Sequence, residues 1–517
     1  MSGLAHVGEV LEMHARLFPE KIGARDLERA MTFRLWASRA RKLANALGGL
    51  GLEKGDRVAV LAYNCLEWAE IYAATAMAGL VAVPINFRLV GPEIRFIVEN
   101  AEARVLIVQD ELLDAVESVR ADLPVETFIL FGSRSAVGYI AYEDLIAKAT
   151  DAPVNVQVAE CDPWTLMYTS GTTGNPKGAI RSHRACAALS LVTEVEMALT
   201  RRDSALLVMP MCHGNSLFFF GAFAYCGAAL TIYSRKSFDP EHLVRTLSEG
   251  AATFTSLVPT HYILMLGLPA AVRARYDVSA VRKLLISSAP ARRDIKLAVM
   301  DYFRNTGLYE GYGSTECGWV AMLQPEEQFS KLGSVGRECI GSRRVKLLAE
   351  DGSEVPEGET GELYSCNPYT FDGYWKLPEK TREAFKGDYC TVGDLARRDE
   401  DGFLYLVDRK TNMIISGGEN VYPSEVEGVL GGHPKVKDVA VIGVADEKWG
   451  ERVHAVIVPH AGETPVVDEV IDWCRSRLAG HKRPRSVSFI RDEEMPRTAT
   501  GKILHRVLRK RHEAPGD

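Results

Sequence analysis

The chain has 517 residues, 47% of them hydrophobic and 25% charged, the composition of a soluble globular protein too long for one ordinary core, so at least two domains are expected. A net charge of −7 disfavours nucleic acid as a main partner, and ten cysteines with no C-x-x-C pair and no Cys/His metal spacing read as reduced thiols in a cytoplasmic protein. The first residues show neither a basic leader nor an apolar h-region, so no signal peptide is expected.

In chain order, Trp36, Ala40, Leu43, Ala44, Leu47 and Leu50 fall on one helical face, with Gly51 suited to the stop. Short apolar runs follow at 57–61, 80–85 and 105–108. Such runs, separated by helical patterns, are what strands buried on both faces of a parallel sheet look like, which predicts an α/β architecture. The next segment, Tyr168 to Gly178, is the most informative of the chain. Glycines Gly171 and Gly174 let backbone N–H groups approach an anion, and the hydroxyls of Thr169, Ser170, Thr172 and Thr173 add donors. Lys177 supplies a mobile positive charge, so the segment has the chemistry of a phosphate cradle. It is not a Walker A loop, because Pro176 precedes Lys177 and Gly178 follows it.

The apolar stretch 216–233 is interrupted by glycines and is expected to be buried core, with no stable insertion in a membrane. The clearest boundary lies near Asp408, after a predicted strand at 402–407. Beyond it come Gly417 and Gly418, and then predicted strands at 439–444, 453–458 and 487–490 that read as a small α+β unit. The expected division is 1–407, a hinge at 408–412, and 413–517. Near the C-terminus, Lys502 follows the small-residue turn Thr500-Gly501, ahead of a helix predicted from Ile503, so its charge can reach into a cleft. The surrounding basic cluster reads as a solvated helix face.

The Tyr168–Gly178 segment resembles the phosphate-binding signature of the adenylate-forming superfamily, which comprises acyl-CoA synthetases, nonribosomal-peptide adenylation domains and beetle luciferases. Tyr312-Gly313-Ser314-Thr315-Glu316 resembles its Y-G-x-T-E segment, and Gly393-Asp394 its G-D segment. Asp408-Arg409-Lys410 and the run 414–423 are similar to its interdomain stretch, and 496–502 to its C-terminal lysine motif. The resemblance, of the acyl-CoA synthetase type, implies a large multi-sheet N-terminal domain, a small α+β lid, and an active site in the cleft between them. It implies two half-reactions, in which ATP activates a carboxylic acid as acyl-AMP and CoA then takes the acyl group.

Under that resemblance Thr169 to Gly174 and Lys177 would hold the β- and γ-phosphates, Glu316 would bind Mg²⁺, and Thr315 would contact the α-phosphate. Tyr312 would lie against the adenine, with Gly311 and Gly313 leaving room, and Ser288, Ala289 and Pro290 would form the adenine wall. Asp394 and Arg409 would hold the ribose. Lys502 would bind the carboxylate and α-phosphate, and the lid would then rotate to exchange it for a CoA-facing surface containing Gly417 and Gly418. The family commonly has Asp or Lys two residues after Arg409, where this chain has Thr411. Arg88, Trp449 and Arg483 resemble nucleotide-contact positions of 4-chlorobenzoate-CoA ligase. His213, Phe219 and Trp319 fall in the acyl-pocket region, and the bulk of Trp319 implies a medium, branched or aromatic acid instead of a long fatty chain. A stand-alone enzyme loading a carrier protein and a non-catalytic nucleotide-binding relative are the alternatives, and a homodimer is the expected assembly.

Overall fold

A computed structural model describes residues 3–169, 176–287, 291, 293–417, 419–475, 477–498 and 501–513. It separates into two compact units, residues 1–344 with 365–390, and residues 345–364 with 391–517.

The first unit contains an eight-stranded and a nine-stranded sheet. In the eight-stranded sheet, Arg57–Leu61 pairs in parallel with Val81–Ile85 and with Ala103–Gln109, as the apolar runs predict. The helix Phe33–Gly49 buries Trp36, Ala40, Leu43, Ala44 and Leu47 on one face. It is capped by the Thr32 hydroxyl accepting from the Leu35 amide, and stops before Gly51, whose φ of 86° suits glycine. Next to the parallel strands, Pro163–Thr169 and Lys177–Ser182 form an antiparallel hairpin in which Thr169 faces Lys177 across the loop. The described ends of the phosphate-cradle segment, Thr169 and Lys177, are therefore paired strand residues, and the strand from Lys177 runs to Ser182 before a helix begins.

In the nine-stranded sheet, Ser204–Leu207, Phe254–Leu257, Lys283–Ser287 and Gly307–Ser314 run parallel. Gly307–Ser314 then turns back on Gly318–Leu323 as an antiparallel hairpin. The carboxyl ends of parallel strands are where open α/β sheets bind ligands, and here those ends carry Ser256, Ser287 and the Tyr312–Glu316 motif. The helix Gly214–Tyr225 is buried almost all round, which accounts for its apolar sequence after the polar first turn of Asn215 and Ser216. No helix among the described residues is long and apolar enough to cross a membrane.

The second unit combines two sheets. One has four antiparallel strands, Lys346–Leu348, Gly361–Tyr364, Asp394–Arg398 and Leu404–Arg409. The other has five, built on the long pair Val436–Asp446 and Gly450–Pro459, with Ser486–Phe489 added in parallel. The helices Pro423–Leu430, Val467–Arg475 and His505–Glu513 complete an α+β unit. The four-stranded sheet thus groups with the C-terminal residues, whereas the division expected at Asp408 leaves it in the larger domain. Asp408 and Ser424 contribute links between the two parts. The Asp408 carboxylate accepts from the Arg409 amide (2.6 Å), from Asn412 Nδ2 (3.3 Å) and from the Ser424 amide (2.9 Å), and the Ser424 hydroxyl donates to the Val407 carbonyl.

Candidate active site

The Y-G-x-T-E motif lies on the turn between the strands Gly307–Ser314 and Gly318–Leu323. Gly313 has to be glycine, because a Cβ there would lie 2.2 Å from the Gly318 carbonyl oxygen. Three successive carbonyls of the turn are each held by a donor. Arg181 Nη1 donates to Thr315 O (2.7 Å), the Phe371 amide to Glu316 O (2.7 Å), and Asn367 Nδ2 to Cys317 O (2.9 Å). The Ser314 hydroxyl accepts from the Cys317 amide at 2.9 Å. Such full backbone satisfaction fixes where the Thr315 and Glu316 side chains point.

Glu316 is 7% exposed, and its Oε1 accepts from the Tyr374 hydroxyl at 2.9 Å and from Thr169 Oγ1 at 3.3 Å. The ammonium of Lys177 lies 4.1 Å from the centre of the same Tyr374 ring, a cation–π contact. Tyr374 therefore brings the mouth of the hairpin loop, its lysine and the motif glutamate to one place. Glu316 Oε2 carries no hydrogen bond from the described residues, and no cluster of three or more His, Cys, Asp or Glu side chains that could hold a metal occurs among them. A single open carboxylate oxygen fits Mg²⁺, which takes one or two carboxylates and draws its other ligands from substrate phosphates and water.

Tyr312 is buried in its strand, opposite Ala321. A Cβ on Gly311 would lie 3.1 Å from Cζ3 of Trp319, so Trp319 packs directly beneath the Gly311 backbone. The Trp319 indole donates to Thr193 Oγ1 at 3.1 Å, and its ring lies 5.9 Å from Phe218. Phe219 has no exposed surface and packs on Phe254 (4.6 Å between centroids) and Trp319 (5.8 Å). Its ring thus joins the aromatic packing around Trp319.

His213 caps the helix Gly214–Tyr225, its Nδ1 accepting from the Asn215 amide at 3.2 Å. Burial pushes its pKa down to about 4, so it is neutral with the proton on Nε2. A Cβ on Gly214 would lie 3.5 Å from Thr315 Oγ1, which places the His213 turn against the motif.

In the second unit, Asp394 and Arg409 are opposite residues on neighbouring strands, joined by an ion pair of 3.0 Å from Nε to Oδ1. Lys502 lies in a tight turn, its carbonyl accepting from the Thr498 amide at 2.7 Å and its own amide donating to Thr498 Oγ1 at 3.1 Å. The helix begins at His505, two residues later than predicted, because Ile503 is bridged in extended conformation to Arg497. Desolvation of the Lys502 amine and the charge of Arg409 push its pKa down to about 8, against the opposing pull of Asp394 and Asp408. The structure thus brings Lys502, Asp394 and Arg409 into mutual electrostatic reach.

Gly417 and Trp449 also meet. The Gly417 amide donates to Trp449 O at 2.8 Å, its φ is 64°, and a Cβ there would lie 2.9 Å from the indole. The Trp449 ring carries the Arg485 guanidinium at 3.7 Å. Arg483 is anchored by its Nε and Nη2, which donate to the carbonyls of Leu478 and Arg475 at 2.9 Å. Arg88 is exposed in the first unit, 5.8 Å from the centre of the Phe87 ring. Ser170, Gly171, Thr172, Thr173 and Gly174 lie outside the described residues, as do Ser288, Ala289, Pro290 and Gly418.

The family model described as AMP-binding enzyme matches residues 11–375, and that of the AMP-binding enzyme C-terminal domain matches 425–502. The chain belongs to the AMP-binding enzyme family. It is 36% identical over 502 residues to a feruloyl-CoA synthase of an Amycolatopsis species, covering 96% of this chain and 97% of that protein. It is 33% identical over 500 residues to the indoleacetate–CoA ligase of Aromatoleum aromaticum, with 96% of each covered. Among solved structures, an anthranilate CoA ligase in complex with anthranoyl-AMP superposes with a TM-score of 0.90 at 28% identity, covering 99% of this chain and 98% of that one. Within the AMP-binding enzyme family the chain is of the acyl-CoA synthetase type.

Two residues of this candidate site escape sequence reasoning. Tyr374 acts on Glu316 from 58 residues away, and Arg181 acts on Thr315 from 134 residues away. The one local sign of Arg181 is a charge directly after the apolar pair Ala179-Ile180 near the end of its strand, where it is fully buried.

Proposed function

We propose that this chain is an ATP-dependent acid–thiol ligase acting on a medium, branched or aromatic carboxylic acid. The observation that carries the proposal is the meeting of Glu316, Thr169 and Lys177 around Tyr374 at the mouth of the hairpin loop. A carboxylate oxygen of the acid attacks the α-phosphorus of ATP, the bond to the pyrophosphate oxygen breaks, and acyl-AMP forms. The CoA sulfur, as thiolate, then attacks the acyl carbon and AMP departs.

In this reading Lys177 and Thr169 hold the β- and γ-phosphates, and Glu316 would hold Mg²⁺, which supplies charge neutralisation on the phosphate oxygens. Thr315 donates to the α-phosphate, Tyr312 and Gly311 bound the adenine, and Asp394 with Arg409 takes the ribose hydroxyls. Lys502 brings a positive charge to the developing pentavalent phosphorus, which requires the hinge at 408–412 to deliver it and later withdraw it for CoA. Arg88, Trp449 and the Gly417 turn are the CoA contacts, with Arg485 added beside Trp449. The free cysteines, most of them buried, suit a reducing cytoplasm.

The aromatic preference is supported by Trp319 beneath Gly311 and by the feruloyl, indoleacetate and anthranilate substrates named for the similar proteins. A carrier protein as acceptor is the second reading, favoured by 34% identity over 494 residues to a fatty acid–[acyl-carrier-protein] ligase of Streptomyces coeruleorubidus. A panel of acids assayed with ATP, Mg²⁺ and CoA, with pyrophosphate and AMP followed separately, decides between them. The ligase releases both, AMP only when CoA is present. Pyrophosphate without CoA-dependent AMP moves the acceptor to a carrier protein.

A further inference from the structure

The turn Met209 to Ser216, ahead of the helix Gly214–Tyr225, is unusually well pinned. Asn64 Nδ2 donates to Met209 O at 3.0 Å and its Oδ1 accepts from the Met211 amide at 2.8 Å. The Tyr72 hydroxyl donates to Met211 O at 2.7 Å, and the Ser216 hydroxyl to Met209 O at 2.6 Å. This rigid turn presents Asn215, 7% exposed, to two serines at the carboxyl ends of parallel strands. Asn215 Nδ2 lies 3.0 Å from Ser256 Oγ and 2.8 Å from Ser287 Oγ, and both serines are 3% exposed.

The three side chains do not satisfy one another. Both amide protons go to the serine oxygens, so the amide oxygen and both serine hydroxyl protons have no partner among the described residues. If the amide is turned the other way, its oxygen accepts from both serines and its nitrogen is left open instead. Either way one end of a nine-tenths-buried amide remains uncommitted. The same helix carries Phe218 and Phe219, whose rings pack on Trp319. The next residue before it, Gly214, abuts Thr315, where the acid would react.

We infer that Asn215, Ser256 and Ser287 form a hydrogen-bonding subsite in the acyl pocket, and that the preferred acid is aromatic and carries a ring hydroxyl. A hydroxyl both donates and accepts, so it completes the cluster in either amide orientation. The inference rests on the ligase reading and adds the substituent that the pocket selects. Sites built to hydrogen-bond a substrate group reject analogues lacking it far more strongly than apolar pockets reject a missing methylene, because buried polar groups are left unpaired.

The test is acid-dependent pyrophosphate release by the full chain, with benzoates, phenylacetates and cinnamates compared as pairs with and without a ring hydroxyl. The hydroxylated member of at least one pair should be favoured by about 100-fold or more in kcat/KM, mostly through KM for the acid. Asn215→Leu should collapse that ratio to within about threefold, and Ser287→Ala should lower it partway, with the circular dichroism spectrum of the parent kept. Equal turnover of both members of every pair by the parent enzyme overturns the inference and leaves the ligase intact. A loss in Asn215→Leu that is equal for both members also overturns it, since a purely structural residue would behave that way. Pyrophosphate release with no acid at all would overturn the ligase reading itself, and the subsite with it.

Discussion

Replacing Arg181 with methionine tests how the motif turn is held. Arg181 is fully buried, and its guanidinium donates to Thr315 O at 2.7 Å and to Tyr369 O at 2.9 Å. Its Nε has no hydrogen-bond partner among the described residues, and the Phe218 ring lies 5.1 Å away. Methionine fills much of the same volume but leaves two buried carbonyls without donors, at about 1–3 kcal/mol each. Part of that loss is offset, because a buried cation with no carboxylate partner among the described residues also ceases to be desolvated. The net expectation is a loss of about 2–4 kcal/mol, read as a lower urea midpoint by circular dichroism. The freed Thr315–Glu316 turn should also lower kcat for acid-dependent ATP–pyrophosphate exchange by about 10- to 100-fold, because misplacement of about 1 Å at a reacting centre costs that much. Arg181→Lys keeps the charge but reaches one carbonyl, and should fall between the two in both measurements. A methionine variant with parental urea midpoint and parental exchange rate would refute the reasoning.

Lys502→Ala should lower the adenylation rate by at least about 10²-fold while leaving acyl transfer from supplied acyl-AMP much less affected, as measured by the two half-reactions separately. The Lys502 amine, held near pH 8, should make kcat/KM for adenylation fall above about pH 8, and Lys502→Arg should remove that alkaline limb. Burial raises the Glu194 carboxyl from 4.5 to about 7, so its cost to stability is absent below about pH 4.5 and complete above about pH 7. Glu194→Gln should therefore stabilise the protein by about 1–2 kcal/mol at pH 8, after allowance for its partial exposure, and change little at pH 4 in urea titrations. Gly313→Ala drives a methyl to 2.2 Å from the Gly318 carbonyl oxygen, and should cost about 1–3 kcal/mol and most of the exchange activity.

Much of this site is legible in sequence because its parts are local. The Thr169–Lys177 pair, the Y-G-S-T-E turn and the Asp394–Arg409 pair each lie within a short stretch or on adjacent strands whose apolar pattern is readable. What is not legible depends on chain segments that meet only after folding. Tyr374 and Arg181 carry no local pattern, and their partners are remote in sequence. The helix after Lys502 starts late because a bridge between Arg497 and Ile503 overrides local helical preference. Phe218 and Phe219 cannot be told apart by periodicity, since their helix is apolar on every face from Leu217 onward, and only the folded packing places Phe219 against Phe254 and Trp319. The grouping of the four-stranded sheet with the C-terminal unit includes links through Asp408 and Ser424 that no spacing rule foretells.

The central claim is that an acid oxygen attacks the α-phosphorus, and isotope transfer tests it most directly. An aromatic acid labelled with ¹⁸O in its carboxyl group is turned over with ATP, Mg²⁺ and CoA, and the AMP is weighed by mass spectrometry. The account predicts one heavy oxygen in each AMP formed. AMP without the label, alongside acyl-CoA, would mean that activation takes another route and would contradict it.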